Sequence, residues 1–206
     1  MRLRRTPQDT QLFARCTELA ELIQGCNLVL AELSGIPADA RQQASARMQE
    51  LTDQADAARG VITRQLRENY ITPLDRGDIF ALADRLREVC YQLESVSFAM
   101  TSQVFDELPA GVPEMLAVLS HQSDQTLRMT RRLQGHYDQW DYVETMDRLH
   151  LRAISLSQSI ADAVPLSRRG LTYTAASMQL ASSFTQASAS FKDVGRIAAA
   201  IALKES

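Results

Sequence analysis

A run of apolar residues near the start of the chain limits what it can fold into. Leu12, Cys16, Leu19, Ile23, Cys26, Leu30 and Leu33 follow one another in alternating steps of four and three. Side chains so spaced line one face of an α-helix, as a seam that has to be buried against other helices. The rhythm returns in Ala44, Met48, Leu51, Ala55, Ala58 and Ile62, and again in Ile79, Leu82, Leu86, Val89, Leu93, Val96 and Met100. Further on, Tyr142, Met146, Leu149, Ala153, Leu156, Ile160 and Ala163 repeat it. A last set comprises Tyr173, Leu180, Phe184, Ala187, Phe191, Val194, Ala198 and Ile201. Glycine (8) and proline (6) are scarce among the 206 residues, which favours long helices joined by short corners.

The breaks divide the pattern. Gly35-Ile36-Pro37 ends a helix expected from about Pro7 to Leu33, opened by Thr6 as N-cap with Pro7 at the first helical position. A second helix runs from about Ala38 to Tyr70 and a third passes through Ile79 to Met100. Leu108 to Pro113 is the clearest internal break. A fourth helix, about Pro113 to Gln134, presents Leu116, Leu119, Thr130 and Leu133 inward. Gly135 is expected as its left-handed C-cap, and Asp138 as the cap of the fifth helix. Pro165 to Gly170 turns the chain into a sixth, about Thr172 to Leu203. At about 1.5 Å per residue the first three rods are some 40–50 Å long, and short corners force them antiparallel. The fold class is therefore all-α: an antiparallel bundle of six long helices. We read one domain, 1–206, with three-helix halves of about 1–108 and 109–206.

Several function classes find no support. A net charge of -3 does not steer towards nucleic acid, and Arg128, Arg131 and Arg132 make only a short patch that reads as a solvated face. There is no G-x-S-x-G elbow and no glycine-rich phosphate loop. The sixth helix lacks charge between Arg169 and Lys192, yet its Ser, Thr and Gln residues argue against a membrane span. An inner helix touched on several sides explains the lost charges, with the hydroxyls bonded back to the preceding turn. Cys16, Cys26 and Cys90 show no C-x-x-C pairing and read as buried thiols of a reduced cytosolic protein. Arg2, Arg4 and Arg5 precede no apolar run, so no signal peptide is expected; they form a solvated tail or touch an anionic surface. His121, His136 and His150 lack ligand-like spacing. The pairs His121/Asp124 and Asp53/Asp56 are of a kind common on solvated helix faces. Asp84, Arg87, Glu88 and Glu94 likewise read as an exposed, salt-bridged face.

The corner between the second and third helices carries more information. Pro73 has no N–H and pushes Thr72 out of the α region, so the incoming helix must stop. Asp75 can then cap the next helix, with Asp78 in its first turn beside the positive end of the dipole. A well-capped tight corner is one reading. The other is resemblance: Ile71-Thr72-Pro73-Leu74-Asp75-Arg76, followed by Asp78-Ile79 and Leu82, resembles the signature of PhoU-like phosphate transport regulators. The likeness is to the branch that accompanies Pit-type phosphate transporters. It extends from the Arg-rich start to the ending Ile201-Ala202-Leu203-Lys204-Glu205-Ser206, and it implies a PhoU-like bundle of two three-helix repeats. Thr72, Pro73, Asp75, Arg76 and Asp78 become the candidate recognition or architectural element. Arg76 has the least structural reason to be there, because a cation in the first turn opposes the dipole.

The resemblance also implies acidic pairs, four residues apart on inner helices, that hold metal clusters. This chain departs from that pattern. The corresponding positions are Thr52 and Asp56 in the second helix, Arg87 and Tyr91 in the third, His150 and Ile154 in the fifth, and Thr185 and Ala189 in the sixth. Trading a carboxylate for Arg87 beside a divalent ion turns attraction into repulsion, on the order of 10 kcal/mol at an effective dielectric near 20. Tightly held structural metals gain about 10–16 kcal/mol in all. No metal cofactor is therefore expected. The function implied is a non-enzymatic, cytoplasmic regulator or accessory of phosphate transport, working by contact with a Pit-type transporter and peripheral to the membrane. A homodimer, or pairing with a metal-bearing relative, is compatible with it. The alternatives are a metal-dependent enzyme acting on phosphate compounds and a general helical scaffold or signalling bundle.

Overall fold

The structure, a computed structural model, describes residues 7–68, 72 and 74–205. Six long helices make up the body: α1 (Pro7–Gly35), α2 (Ala38–Glu68), α3 (Arg76–Met100), α4 (Val112–Leu133), α5 (Trp140–Ala163) and α6 (Leu171–Lys204). A short 3-10 turn, Pro165–Ser167, lies between α5 and α6. There is no strand among the described residues. The Arg-rich start, the Thr6 cap, Pro73 and the end of the second helix at Tyr70 lie outside the described residues.

The seams are buried as their spacing requires. Every residue of the α1 and α3 seams is buried, and so are the eight inner positions of α6. Leu51, Leu116 and Leu156 are only half-buried, and Ala163 is exposed, because α5 ends there and Val164 takes the inward place instead. The three cysteines are free and buried among these seams. Burial pushes the Cys16 thiol up to about 12. A hydrogen bond to Cys26, then burial, holds the Cys90 thiol well above its ordinary value, so neither Cys16 nor Cys90 is poised as a nucleophile.

Helices α1, α2 and α3 touch one another, as do α4, α5 and α6. The two sets meet where α1 lies on α4 and α3 lies on α6. Polar contacts fix both directions as antiparallel. Glu21 pairs with Arg131 and Gln24 Nε2 donates to Asp124, joining α1 to α4. Lys204 at the end of α6 reaches Asp78 at the start of α3, 2.8 Å from both carboxylate oxygens. At the opposite end, the ring of Phe105 stands edge-on to Tyr173, with centroids 5.6 Å apart.

The α3–α4 connection is packed, not merely a break. Phe105 is fully buried, and its carbonyl accepts from Arg41 Nη1 at 2.7 Å. Arg41 is itself buried at the start of α2. Gly111 caps α4 with φ +93°, and a Cβ there would sit 3.0 Å from Ile160 Cγ1. A left-handed backbone and a close approach coincide at that glycine. Gly135 plays no such part, contrary to expectation. The α4 C-cap is Gln134 in right-handed conformation, and the Arg132 carbonyl accepts from the N–H groups of both Gly135 and His136 at 2.9 Å. That turn satisfies the end of the helix without a left-handed residue.

Candidate functional site

The corner behaves as an N-cap. Asp75 adopts extended backbone angles, and its carboxylate accepts from Gly77 N at 2.9 Å and Asp78 N at 3.2 Å. Thr72 Oγ1 donates to the Leu74 carbonyl at 2.7 Å, closing the loop just before the helix. Leu74 is buried and seals the corner onto the core. Asp78 adds negative charge to the first turn and takes both contacts from Lys204. The two chain segments that carry the resemblance, the corner and the ending, are therefore neighbours in space.

Arg76 requires a correction. Its guanidinium donates from Nη2 to the carbonyl of Leu66, one of the last carbonyls of α2. Those carbonyls have no partner within their own helix, so a cation beside them meets the negative end of the α2 dipole. Arg76 thus has a structural task that its position on α3 alone did not reveal. Because the side chain is exposed, Arg76→Ala is expected to cost about 1 kcal/mol, the typical worth of one hydrogen bond. Thermal melts would measure this, and an unchanged melting temperature would return Arg76 to a purely external role.

About two turns or more from the corner, α2 and α3 face each other through a network of charges. Arg87 donates from Nε to Asp56 Oδ1, and Tyr91 OH donates to Asp56 Oδ2 at 2.5 Å. Arg87 Nη2 lies 3.1 Å from the Tyr91 oxygen, and the guanidinium carbon stands 4.4 Å from the Tyr91 ring centroid. Arg59 repeats the arrangement one turn nearer the corner, pairing with Asp84 at 3.0 Å and covering Phe80 at 4.8 Å. The hydrogen bond from Arg87 holds the Asp56 carboxyl below its ordinary value, with a smaller contribution from Tyr91. The hydrogen bond that Tyr91 donates to Asp56 raises the Tyr91 hydroxyl above the usual phenol value. The face foreseen for Asp84 and Arg87 is salt-bridged, but it joins two helices instead of only facing water.

The sequence contained a signal for these pairs. Asp56 and Arg87 lie sixteen and fifteen residues from Thr72, and Arg59 and Asp84 lie thirteen and twelve. An antiparallel hairpin folded at Thr72 places each pair opposite its partner. A search for opposite charges equidistant from the corner would have found both.

These residues do not suit a divalent cation. Thr52 is buried, and its hydroxyl bonds to the carbonyls of Met48 and Gln49. Both oxygens of Asp56 are taken by Arg87 and Tyr91, and the guanidinium already balances the carboxylate charge. The other four positions lie on α5 and α6 and offer little donor capacity. His150 Nδ1 lies 3.3 Å from Ser188 Oγ, and burial followed by repulsion from Lys192 lowers its pKa. Thr185 bonds to the Ala181 carbonyl of its own helix, while Ile154 and Ala189 offer no ligand atom. Among the described residues no three His, Cys, Asp or Glu side chains gather as a metal site would need.

The other candidates disperse. His121 contacts Gln125 while Asp124 serves Gln24, so the two do not act together. Arg131 and Arg132 are engaged by Glu21 and Asp141. Hydroxyls of α6 bond back along their helix, Ser183 to Gln179 and Ser190 to Ala187 among them. No described helix is long and apolar enough to cross a membrane.

No family model and no curated protein matches the sequence. The backbone is similar to that of a PhoU-like protein from Shewanella oneidensis MR-1, with a TM-score of 0.64 at 12% sequence identity. The likeness covers 99% of this chain and 100% of that one. At so low an identity it is a likeness of fold, and it extends end to end: the six helices form a PhoU-like all-α bundle.

Proposed function

We propose that this chain is a non-enzymatic regulator or accessory protein of inorganic phosphate transport, acting at the cytoplasmic face through contact with a Pit-type transporter. The observation that carries the reading is the PhoU-like architecture over the whole chain. The capped Thr72–Asp78 corner, the segment of the sequence that resembles the transporter-associated branch, supports it. Contact rather than turnover fits the chemistry, because the hydroxyls of Thr174, Ser183, Thr185 and Ser190 are bonded back along α6 and His150 faces a fully buried serine.

Co-purification tests this directly. The tagged protein, expressed beside its cognate Pit-type transporter, should enrich that transporter from detergent-solubilised membranes, with recovery that differs between high and low phosphate. Equal recovery of an unrelated membrane protein would defeat the proposal. A second reading is favoured by the Arg87–Asp56 pair: the chain assembles, without metal, with a metal-bearing relative or with a second copy of itself. Stoichiometric Fe, Zn, Mg or Mn in the purified protein would instead favour a metal-dependent enzyme.

A further inference from the structure

The exposed side of α6 is unlike the rest of the surface. Seven residues between Leu171 and Phe191 are exposed (Leu171, Thr172, Ala175, Met178, Gln179, Ser182 and Gln186), and none is charged. Contact with α3, α4 and α5 accounts for the inner side of this helix but not for these positions, so the explanation by burial is incomplete. Lack of charge on an otherwise charged surface is the compositional mark of the centre of an interface.

That side borders a groove of about 1020 Å³ between α3 and α6, lined also by Gln42 of α2. Phe98 stands in it with 79% of its surface exposed. An unshielded aromatic flanked by amides and small residues is the kind of anchor on which binding energy concentrates. Arg87 lines the far end, but Asp56 takes up its charge. The charge left on the groove is that of Glu88 and Glu94.

We propose that the α3–α6 groove is the docking site for a lysine- and arginine-rich cytoplasmic segment of the transporter, which sets one large apolar side chain against Phe98. The choice of occupant follows from charge. Cytoplasmic segments of membrane proteins carry an excess of Lys and Arg close to the bilayer. An acidic rim around an uncharged floor attracts such a segment and fixes its register. The stretch from Glu88 to Phe98 covers about 15 Å of helix, room for about five extended residues or ten helical ones. The site rests on the transporter reading above and gives it an address.

The test uses the full chain, immobilised, with the detergent-solubilised cognate transporter as probe, over a range of salt. Glu88→Lys combined with Glu94→Lys should weaken association about tenfold or more and flatten its salt dependence, and Phe98→Ala should weaken it about tenfold. Glu114→Lys combined with Glu144→Lys, on exposed positions of α4 and α5, should bind as the unaltered protein does. Circular dichroism melts identify any variant that fails to fold. Binding by the unaltered protein that all groove variants retain overturns the groove and leaves the transporter reading standing. If the unaltered protein does not bind, both fall. Variants that turn a dimer into a monomer while transporter binding persists make the groove a self-interface and also overturn the proposal.

Discussion

Replacing Phe105 by alanine is expected to cost about 3–5 kcal/mol, the usual range for emptying a buried aromatic site. At about 2–4 °C per kcal/mol for a domain of this size, the melting temperature falls by roughly 6–20 °C. The ring is fully buried although it belongs to no helix. It stands edge-on to Tyr173 at the start of α6, and its own carbonyl is gripped by the buried Arg41 at the start of α2. Removing the ring therefore opens a cavity where three parts of the chain meet, and the link cannot close it without loosening the contact with Arg41. Phe98→Ala is the internal comparison, since that ring is 79% exposed and its loss should change stability by less than about 0.5 kcal/mol. Denaturant melts of the two variants decide the matter. A Phe105→Ala loss as small as that of Phe98→Ala would mean that the connection contributes nothing to holding the bundle together.

Phe105 also marks the boundary of what the sequence reveals. Heptad spacing is a one-dimensional signal, so Leu12 to Leu33 and Ile79 to Met100 could be assigned to buried seams from their order alone. Phe105 and Arg41 carry no periodicity: one lies in a link, the other is a cation whose burial depends on two carbonyls far along the chain. Arg76 misled for the same reason, because the carbonyl it serves belongs to the preceding helix. The uncharged stretch of α6 had two physical causes available, burial by neighbours and cover by a partner. Composition cannot separate them, since exposure is a property of the packed molecule. Asp56 and Arg87 lay between these cases: their identities were legible as departures from the expected acidic pairs, and only the hairpin register brought them together.

Arg87→Asp should destabilise the protein by about 2 kcal/mol, roughly 4–8 °C in melting temperature. The change removes the bond to Asp56 and sets two carboxylates against each other. Unit charges 4 Å apart repel by about 4 kcal/mol at an effective dielectric near 20, and partial exposure of both side chains reduces this. Exchanging the pair, Asp56→Arg with Arg87→Asp, restores opposite charges across α2 and α3 and should recover at least half of the loss. Arg59, which lies on the same face and is bound to Asp84, limits that recovery. Acid works in a definite direction. Because Arg87 lowers the Asp56 carboxyl, the stability this pair supplies is complete above the unfolded carboxylate value near 4 and disappears as pH falls through the folded value. In Arg87→Asp the sign reverses: protonating one of the crowded carboxylates relieves repulsion, so the gap to the unaltered protein narrows as pH approaches 4. The same crowding makes the variant responsive to cations, and millimolar Mn²⁺ or Mg²⁺ should raise its melting temperature by an amount set by ligand linkage, about 1.4 kcal/mol at ten times Kd. The unaltered protein should show no comparable rise, because its own guanidinium already neutralises Asp56. Equal responses to the ion in the two proteins would show that Arg87 does not take the place of a cation.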